Sequence, residues 1–488
     1  MRRTFSFLAL FVTLLLQAED FLNLVETSHH ITLKDPQMTL SYTAITGKFP
    51  ISFYEEEDPA PEIFFIAYFV EADEPRPVTF VFPGGPGGSC APETLCSFGP
   101  RRLLTPQEGK TILPPYRMID NPETLLPWTD LVFVDPAGCG FSTTGNNESV
   151  VSDLFSVEGD IAALGDFTRS FIDHFNLWNS PKYLAGSSYG TVRCCGLAEY
   201  LLSHDLNLHG IILSGCALDF STFINQHNRI LPNSLLIPTF AASAWYHGRL
   251  WPDKPLHEVV DFAKKFSFDR YIPAILQPGR FSKTEQDTFY QEMAFLVGLP
   301  WDTVRRYQGS FDEFLYTTEF FGPDRKVLGG LDTRYVGDLS SIQRTNLSDD
   351  PSYRDMQGMF CAFNNYLQNE LKTVYPFKKY VEFCSESNRH WSYSTYDSIE
   401  WPEFMQRVKR TLIQNPEMQI FIGSGYYDCR TPFAATDYCF DHLNLPSSYR
   451  NNLHFEYYEG GHGFIFDHNC LKKLKKDLQN FFEIAQKR

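Results

Sequence analysis

Lys182-Tyr183-Leu184-Ala185-Gly186-Ser187-Ser188-Tyr189-Gly190 is the stretch that decides the fold. Its first half reads as a short apolar strand, and the residues from Tyr189 onward read as a helix. Between them, Gly186 to Gly190 has G-x-S-x-G spacing, in which a serine stands clear on a strained strand-to-helix turn and glycines let neighbouring backbone pass close by. Ser188 is therefore the candidate nucleophile. On either side lie further short apolar runs, Val78 to Phe82, Leu131 to Val134 and Gly210 to Leu213. Continuous apolar strands separated by longer segments are what a parallel sheet buried on both faces requires. The fold class is thus α/β, with a mostly parallel central sheet. Leu40 to Phe53 and Ile63 to Val70, separated by the acidic, turn-prone stretch Tyr54 to Pro61, predict an N-terminal antiparallel hairpin at one edge of it.

The pattern changes from about Asp219 to Glu400, where aromatic-rich, helix-compatible stretches are broken by prolines and by polar loops such as Asn346 to Pro351. This predicts an inserted, mainly helical cap over 219–400, with the core in two parts, 19–218 and 401–488. Strands return at Met418 to Gly423 and Leu453 to Tyr458, and a basic amphipathic helix, Leu471 to Lys487, closes the chain.

A serine hydroxyl is a weak nucleophile until a histidine takes its proton, and that histidine needs a carboxylate to fix its tautomer and stabilise its charged form. On a sheet of this kind both follow the serine, acid before histidine, just beyond later strands. Asp428, in Gly425-Tyr426-Tyr427-Asp428, and His462, in Gly460-Gly461-His462-Gly463, meet both requirements. Asp437, Asp441 and His468 are the fallbacks. The developing oxyanion needs backbone donors. Pro83-Gly84-Gly85-Pro86-Gly87-Gly88-Ser89 follows the strand Val78 to Phe82, with no lysine at Walker spacing and no dinucleotide fingerprint. The N–H groups of Gly85 and Tyr189 are the expected donors.

A formal net charge of -17 and a pI near 5.2 argue against a nucleic-acid partner, since phosphate binding needs a basic face. Arg2 and Arg3, the apolar run Phe5 to Leu16 and then Gln17-Ala18-Glu19-Asp20 match a secretory signal peptide over 1–18. No later run is apolar and long enough to be a transmembrane helix, so an exported protein without a further membrane association is expected. The 11 cysteines are odd in number and irregular in spacing. Cys139, Cys194, Cys195 and Cys216 fall where buried thiols act as small hydrophobes. One or two bridges, within Cys90-Cys96 or among Cys429, Cys439 and Cys470, remain open. No C-x-x-C or H-E-x-x-H occurs, so neither a metal nor a cofactor is expected.

Taken together these blocks resemble the serine carboxypeptidase family on the α/β-hydrolase fold, particularly its bacterial exported branch. Arg76 to Phe82 leading into Gly84-Gly85-Pro86-Gly87 and Phe98-Gly99-Pro100-Arg101-Arg102 is similar to the family's first block. Asn121-Pro122-Glu123-Thr124 with Trp128, and Phe133 to Ser142, are similar to the second. Gly186 to Ala198, and Ser424 to Asp428 with Thr431-Pro432-Phe433, are similar to the other two. The resemblance implies Ser188 as nucleophile, His462 as general base and then acid, and Asp428 as its partner.

Two departures stand out. The family usually has asparagine before the paired glycines and glutamate just before the nucleophile, and these bind the substrate's free carboxylate. Pro83 and Ser187 occupy those positions here, and a further glutamate common before the next Gly-Pro is replaced by Ser97-Phe98. Pro83 also makes the loop similar to that of prolyl and tripeptidyl aminopeptidases. Without the acidic pair, activity is expected to follow deprotonation of His462, with an optimum near or above neutral. Gly84, Ser187 and Arg193 are the candidate substrate-binding residues, with Arg101 and Arg102 as further arginines able to bind a carboxylate. The expected activity is that of an exported serine exopeptidase, periplasmic or secreted, acting on peptides and trimming their C-termini. An aminopeptidase-like, esterase or acyltransferase activity is the alternative, and a hydrolase-fold protein that binds without turnover is a third.

Overall fold

The structure, a computed structural model, describes residues 23–34, 37–104, 114–224, 229–338, 350–356, 358–395 and 403–487. The expected signal peptide lies outside them, as do parts of the expected cap. Nine strands form one sheet: β1 Val25–Lys34, β2 Gln37–Pro50, β3 Glu62–Val70, β4 Val78–Phe82, β5 Asp130–Val134, β6 Lys182–Ser187, β7 Gly210–Ser214, β8 Gln419–Gly425 and β9 Leu453–Tyr458. Their spatial order is β1-β2-β3-β5-β4-β6-β7-β8-β9. The first three run antiparallel and β3 pairs antiparallel with β5, after which every pairing is parallel. The connections leaving β4 and β6 run to opposite sides of the sheet, and this switch opens a crevice at the carboxyl ends of those two neighbouring strands. This is the α/β-hydrolase architecture.

β4, β5 and β7 are buried along their whole length, because helices cover both faces. Phe80, Leu184, Ile211 and Ile420 face one core with Phe167, Phe171 and Leu197. Val81, Ala185, Ile212 and Phe421 face the other with Leu474, Leu478 and Phe481 of the closing helix His468–Gln486. The hairpin of β2 and β3 forms where the alternation predicts it. The outermost strand β1 was not expected: its sequence Val25-Glu26-Thr27-Ser28-His29-His30-Ile31-Thr32-Leu33-Lys34 buries only Ile31 and Leu33. Two buried residues leave too little apolar alternation for the pattern to register.

Between β7 and β8 the chain leaves the sheet for a long insertion. Its helices Ile230–Tyr246, Leu256–Phe266 and Lys283–Val297 surround a separate aromatic core that includes Phe240, Phe289, Tyr316 and Phe320. It is stitched to the loops at the carboxyl ends of the strands through bridges between Gly88 and Phe383 and between Gly140 and Val381. All eleven cysteines are free thiols, so neither bridge considered from the sequence is present.

Candidate active site

Ser188 caps the helix Tyr189–Leu202 immediately after β6, with φ 54° and ψ -122°. A non-glycine residue rarely adopts this backbone, and the surroundings hold it there. The Ser188 N–H donates to the Ser214 carbonyl at 2.9 Å, while the Ser188 carbonyl accepts from the Thr191 N–H at 2.9 Å and its hydroxyl at 2.6 Å. Gly190 permits the turn, since a Cβ there would lie 2.4 Å from the Phe82 carbonyl oxygen. Tyr189 is the first helical residue, so its N–H is among those that an α-helix leaves unpaired by its own ladder.

Asp428 and His462 meet although 34 residues apart. His462 Nδ1 is 2.9 Å from Asp428 Oδ2, with Asp428 fully buried and His462 16% exposed. Asp428 Oδ1 accepts the N–H groups of Arg430 at 2.7 Å and Thr431 at 3.0 Å, and Oδ2 accepts the Thr431 hydroxyl at 2.7 Å. With Nδ1–H donated to the carboxylate, Nε2 is left as the acceptor of the ring. Gly215 ties this pair to the elbow: it follows Ser214, which accepts from Ser188, and a Cβ on it would stand 3.4 Å from His462 Nδ1.

The glycine loop after β4 lies directly against the serine. A Cβ on Gly84 would come within 2.9 Å of Ser188 Cβ and 3.5 Å of its Oγ. At Gly85, φ is +123° and a Cβ would collide with the N–H groups of Gly87 and Gly88, at 2.6 and 2.7 Å. Only glycine allows the loop to fold this tightly beside the elbow. From behind, Arg193 Nη1 donates to the Pro83 carbonyl at 2.6 Å, and Nε donates to Asp160 at 2.7 Å. With its guanidinium engaged by Asp160 and the Pro83 carbonyl, Arg193 supports the loop rather than facing a substrate, a correction to its expected role. Arg101 is paired with Asp120 and Glu370, and Arg102 is buried.

The residue that sequence reasoning missed is Glu93. It lies on the short helix Ala91–Cys96, one turn before Ser97, and is 3% exposed. The Ser187 hydroxyl donates to Glu93 Oε1 at 2.6 Å, while the buried Oε2 has no partner among the described residues. Burial pushes the Glu93 carboxyl up to about 7, with the hydrogen bond from Ser187 opposing the shift. Asp135 lies close enough to add to that shift, and burial pushes it to about 7 as well. A protonatable carboxyl thus borders the residue before Ser188, although neither Ser97 nor Ser187 carries one. No helical spacing pointed to it, because the helix ends at Cys96 and Ser97 has φ -134° and ψ -98°.

Of the fallbacks, Asp437 is engaged by Lys264 and Tyr457, each at 2.6 Å. Asp441 ends the helix Phe433–Asp441 and His468 begins the closing helix. Among the described residues no cluster of His, Cys, Asp and Glu could hold a metal ion, and no helix is long and apolar enough to cross a membrane.

Comparison with known proteins bears on this arrangement. The family model described as serine carboxypeptidase matches residues 53–465. A lysosomal protective protein of Mus musculus is 28% identical over 202 residues, covering 40% of this chain and 38% of that protein. A carboxypeptidase Y homolog of Arthroderma benhamiae is 29% identical over 201 residues, covering 38% of this chain and 37% of that protein. These alignments therefore span under two-fifths of either relative. A prohormone-processing carboxypeptidase of Saccharomyces cerevisiae, Kex1Δp, shares the fold with TM-score 0.56 at 16% identity, over 90% of this chain and 91% of that one.

Proposed function

From the premise that this chain belongs to the serine carboxypeptidase family, we propose that it removes residues from peptide C-termini through an acyl-enzyme on Ser188. His462 Nε2 takes the Ser188 proton as Oγ attacks the scissile carbonyl, and Asp428 stabilises the imidazolium. The N–H groups of Gly85 and Tyr189 bind the oxyanion. His462 then protonates the leaving amine, and water, activated by the same imidazole, releases the acyl group. No metal or cofactor enters these steps.

The observation that carries the choice of peptide end is Glu93, whose buried carboxyl is in hydrogen-bond contact with Ser187 beside the nucleophile. Protonated, Glu93 can donate to a substrate carboxylate; ionised, it repels one. In this reading it supplies, one helical turn displaced, the acid that Ser97 and Ser187 lack. The long insertion acts as a cap that limits access to chain ends. The N-terminal sequence supports an exported enzyme, periplasmic or secreted.

Pro83 favours a second reading, an aminopeptidase-like or esterase activity using the same serine. One peptide offered free at both ends, N-acetylated and C-amidated separates the two, with Ser188→Ala as blank and mass spectrometry as readout. Loss of C-terminal residues from the acetylated but not the amidated form supports the carboxypeptidase. Shortening from the N-terminus supports the second reading.

A further inference from the structure

The loops that carry Asp428 and His462 come from different strands, and a segment of the insertion, Gly329 to Arg334, runs between them. On the acid side, the Thr333 N–H donates to the Tyr427 carbonyl at 3.1 Å, and the Cys429 N–H donates to the Gly330 carbonyl at 3.2 Å. On the histidine side, the His462 N–H donates to the Leu331 carbonyl at 2.6 Å. The packing is close enough that a Cβ on Gly461 would lie 2.3 Å from both Asp332 Cβ and the Leu331 oxygen. The segment therefore bonds to the residues on either side of Asp428 and to His462 itself.

Arg334 fastens it. Its Nη2 donates to Asp332 at 2.6 Å and to Asp467 at 2.7 Å, and its Nη1 donates to the Glu459 carbonyl at 2.7 Å, at the start of the histidine loop. The guanidinium also lies over the Tyr427 ring, 5.3 Å from its centroid. Asp467 caps the closing helix through the N–H groups of Asn469 and Cys470. One fork-shaped cation thus joins the insertion, the histidine loop, the acid loop and the last helix. A lysine cannot reproduce this, because its single ammonium lacks the planar set of donors.

We propose that Arg334 is a positioning residue for the Asp428–His462 pair, acting by clamping Gly329 to Arg334 between the two loops. The proposal rests on the Ser188, His462 and Asp428 reading above. Its consequence is that the insertion, besides covering the site, sets the geometry of the general base, so that chemistry depends on the insertion being seated. Displacement of a reacting group by about 1 Å can cost on the order of 100-fold in rate.

The test is the second-order rate at which Ser188 reacts with a small fluorophosphonate, together with kcat and KM on a C-terminally free peptide, per folded enzyme. Arg334→Met is expected to lower the fluorophosphonate rate and kcat together, by at least about tenfold, with KM little changed; Arg334→Lys is expected to recover part of the loss. Asp467→Asn keeps a capping side chain while weakening one contact to Arg334, and it covers the case in which Arg334→Met does not fold. Its expected loss is smaller and of the same kind. Parent enzyme labelled at Ser188 with variants of unchanged rate, whatever their melting temperature, overturns the clamp alone. Parent enzyme that is not labelled at Ser188 overturns the functional reading and the clamp with it.

Discussion

Two buried carboxyls border the catalytic candidates, Asp428 against His462 and Glu93 against the residue before Ser188, and their surroundings are opposite. Asp428 accepts from two backbone N–H groups, the Thr431 hydroxyl and His462 Nδ1. Glu93 accepts from the Ser187 hydroxyl, and its buried Oε2 has no partner among the described residues. The difference teaches that burial does not by itself decide what a carboxyl does; the number of donors aimed at it does. Asp428 is surrounded as an acceptor that must hold a histidine. Glu93 is surrounded as an acid that carries its proton up to about pH 7 and can release it there.

Several substitutions break that contrast. The largest loss is expected for Ser188→Ala, on the order of 10⁶-fold in kcat, measured on any cleaved peptide. Asp428→Asn puts an amide where every neighbour is a donor and is expected to cost on the order of 10⁴-fold in kcat, with the fold retained by circular dichroism. On the Glu93 side the first effect is on stability. Its folded-state pKa lies above the ordinary carboxylate value, so the folded chain holds the proton more tightly than the unfolded one. Stability therefore falls as pH rises from about 4.5, and the full cost is present above about 7. Glu93→Gln removes this, and urea unfolding is expected to show the variant gaining up to about 3 kcal/mol on the parent between pH 5 and pH 9. Asp135 and Glu313, both pushed to about 7 by burial, leave a residual fall of the same sign in the variant.

Smaller effects sharpen the comparison. Glu93→Ala is expected to raise KM for peptides with a free C-terminus by about 10- to 100-fold while leaving reaction with a small fluorophosphonate unchanged. Parent activity on such peptides is expected to decline above pH 7 as Glu93 ionises. Glu93→Gln, which keeps a neutral donor, is expected to abolish that decline. A parent profile with no decline above pH 7 would overturn the carboxylate-binding role of Glu93.

Much of this was legible from the chain. The elbow, the order of acid and histidine and the glycine loop are written in short contiguous blocks, because each is a strand and the turn after it. The hairpin of β2 and β3 was legible for the same reason. Glu93 was not, since the family pattern points to the residues just before Gly99-Pro100, and this carboxyl stands four residues before Ser97. Arg193 misled in the opposite way: its type suits a carboxylate ligand, but its burial against Asp160 and the Pro83 carbonyl is set by the helix face on which it falls.

By itself the sequence determined the succession of sheet strands from β2 onward, the elbow and the candidates Ser188, Asp428 and His462, all properties of local pattern. Tertiary structure alone decided that Glu93 reaches Ser187, that Arg193 faces inward, and that Gly329 to Arg334 runs between two loops distant in the chain. Those contacts depend on how helices and the insertion pack against the sheet, and packing brings together residues whose separation along the chain carries no period for a sequence to reveal.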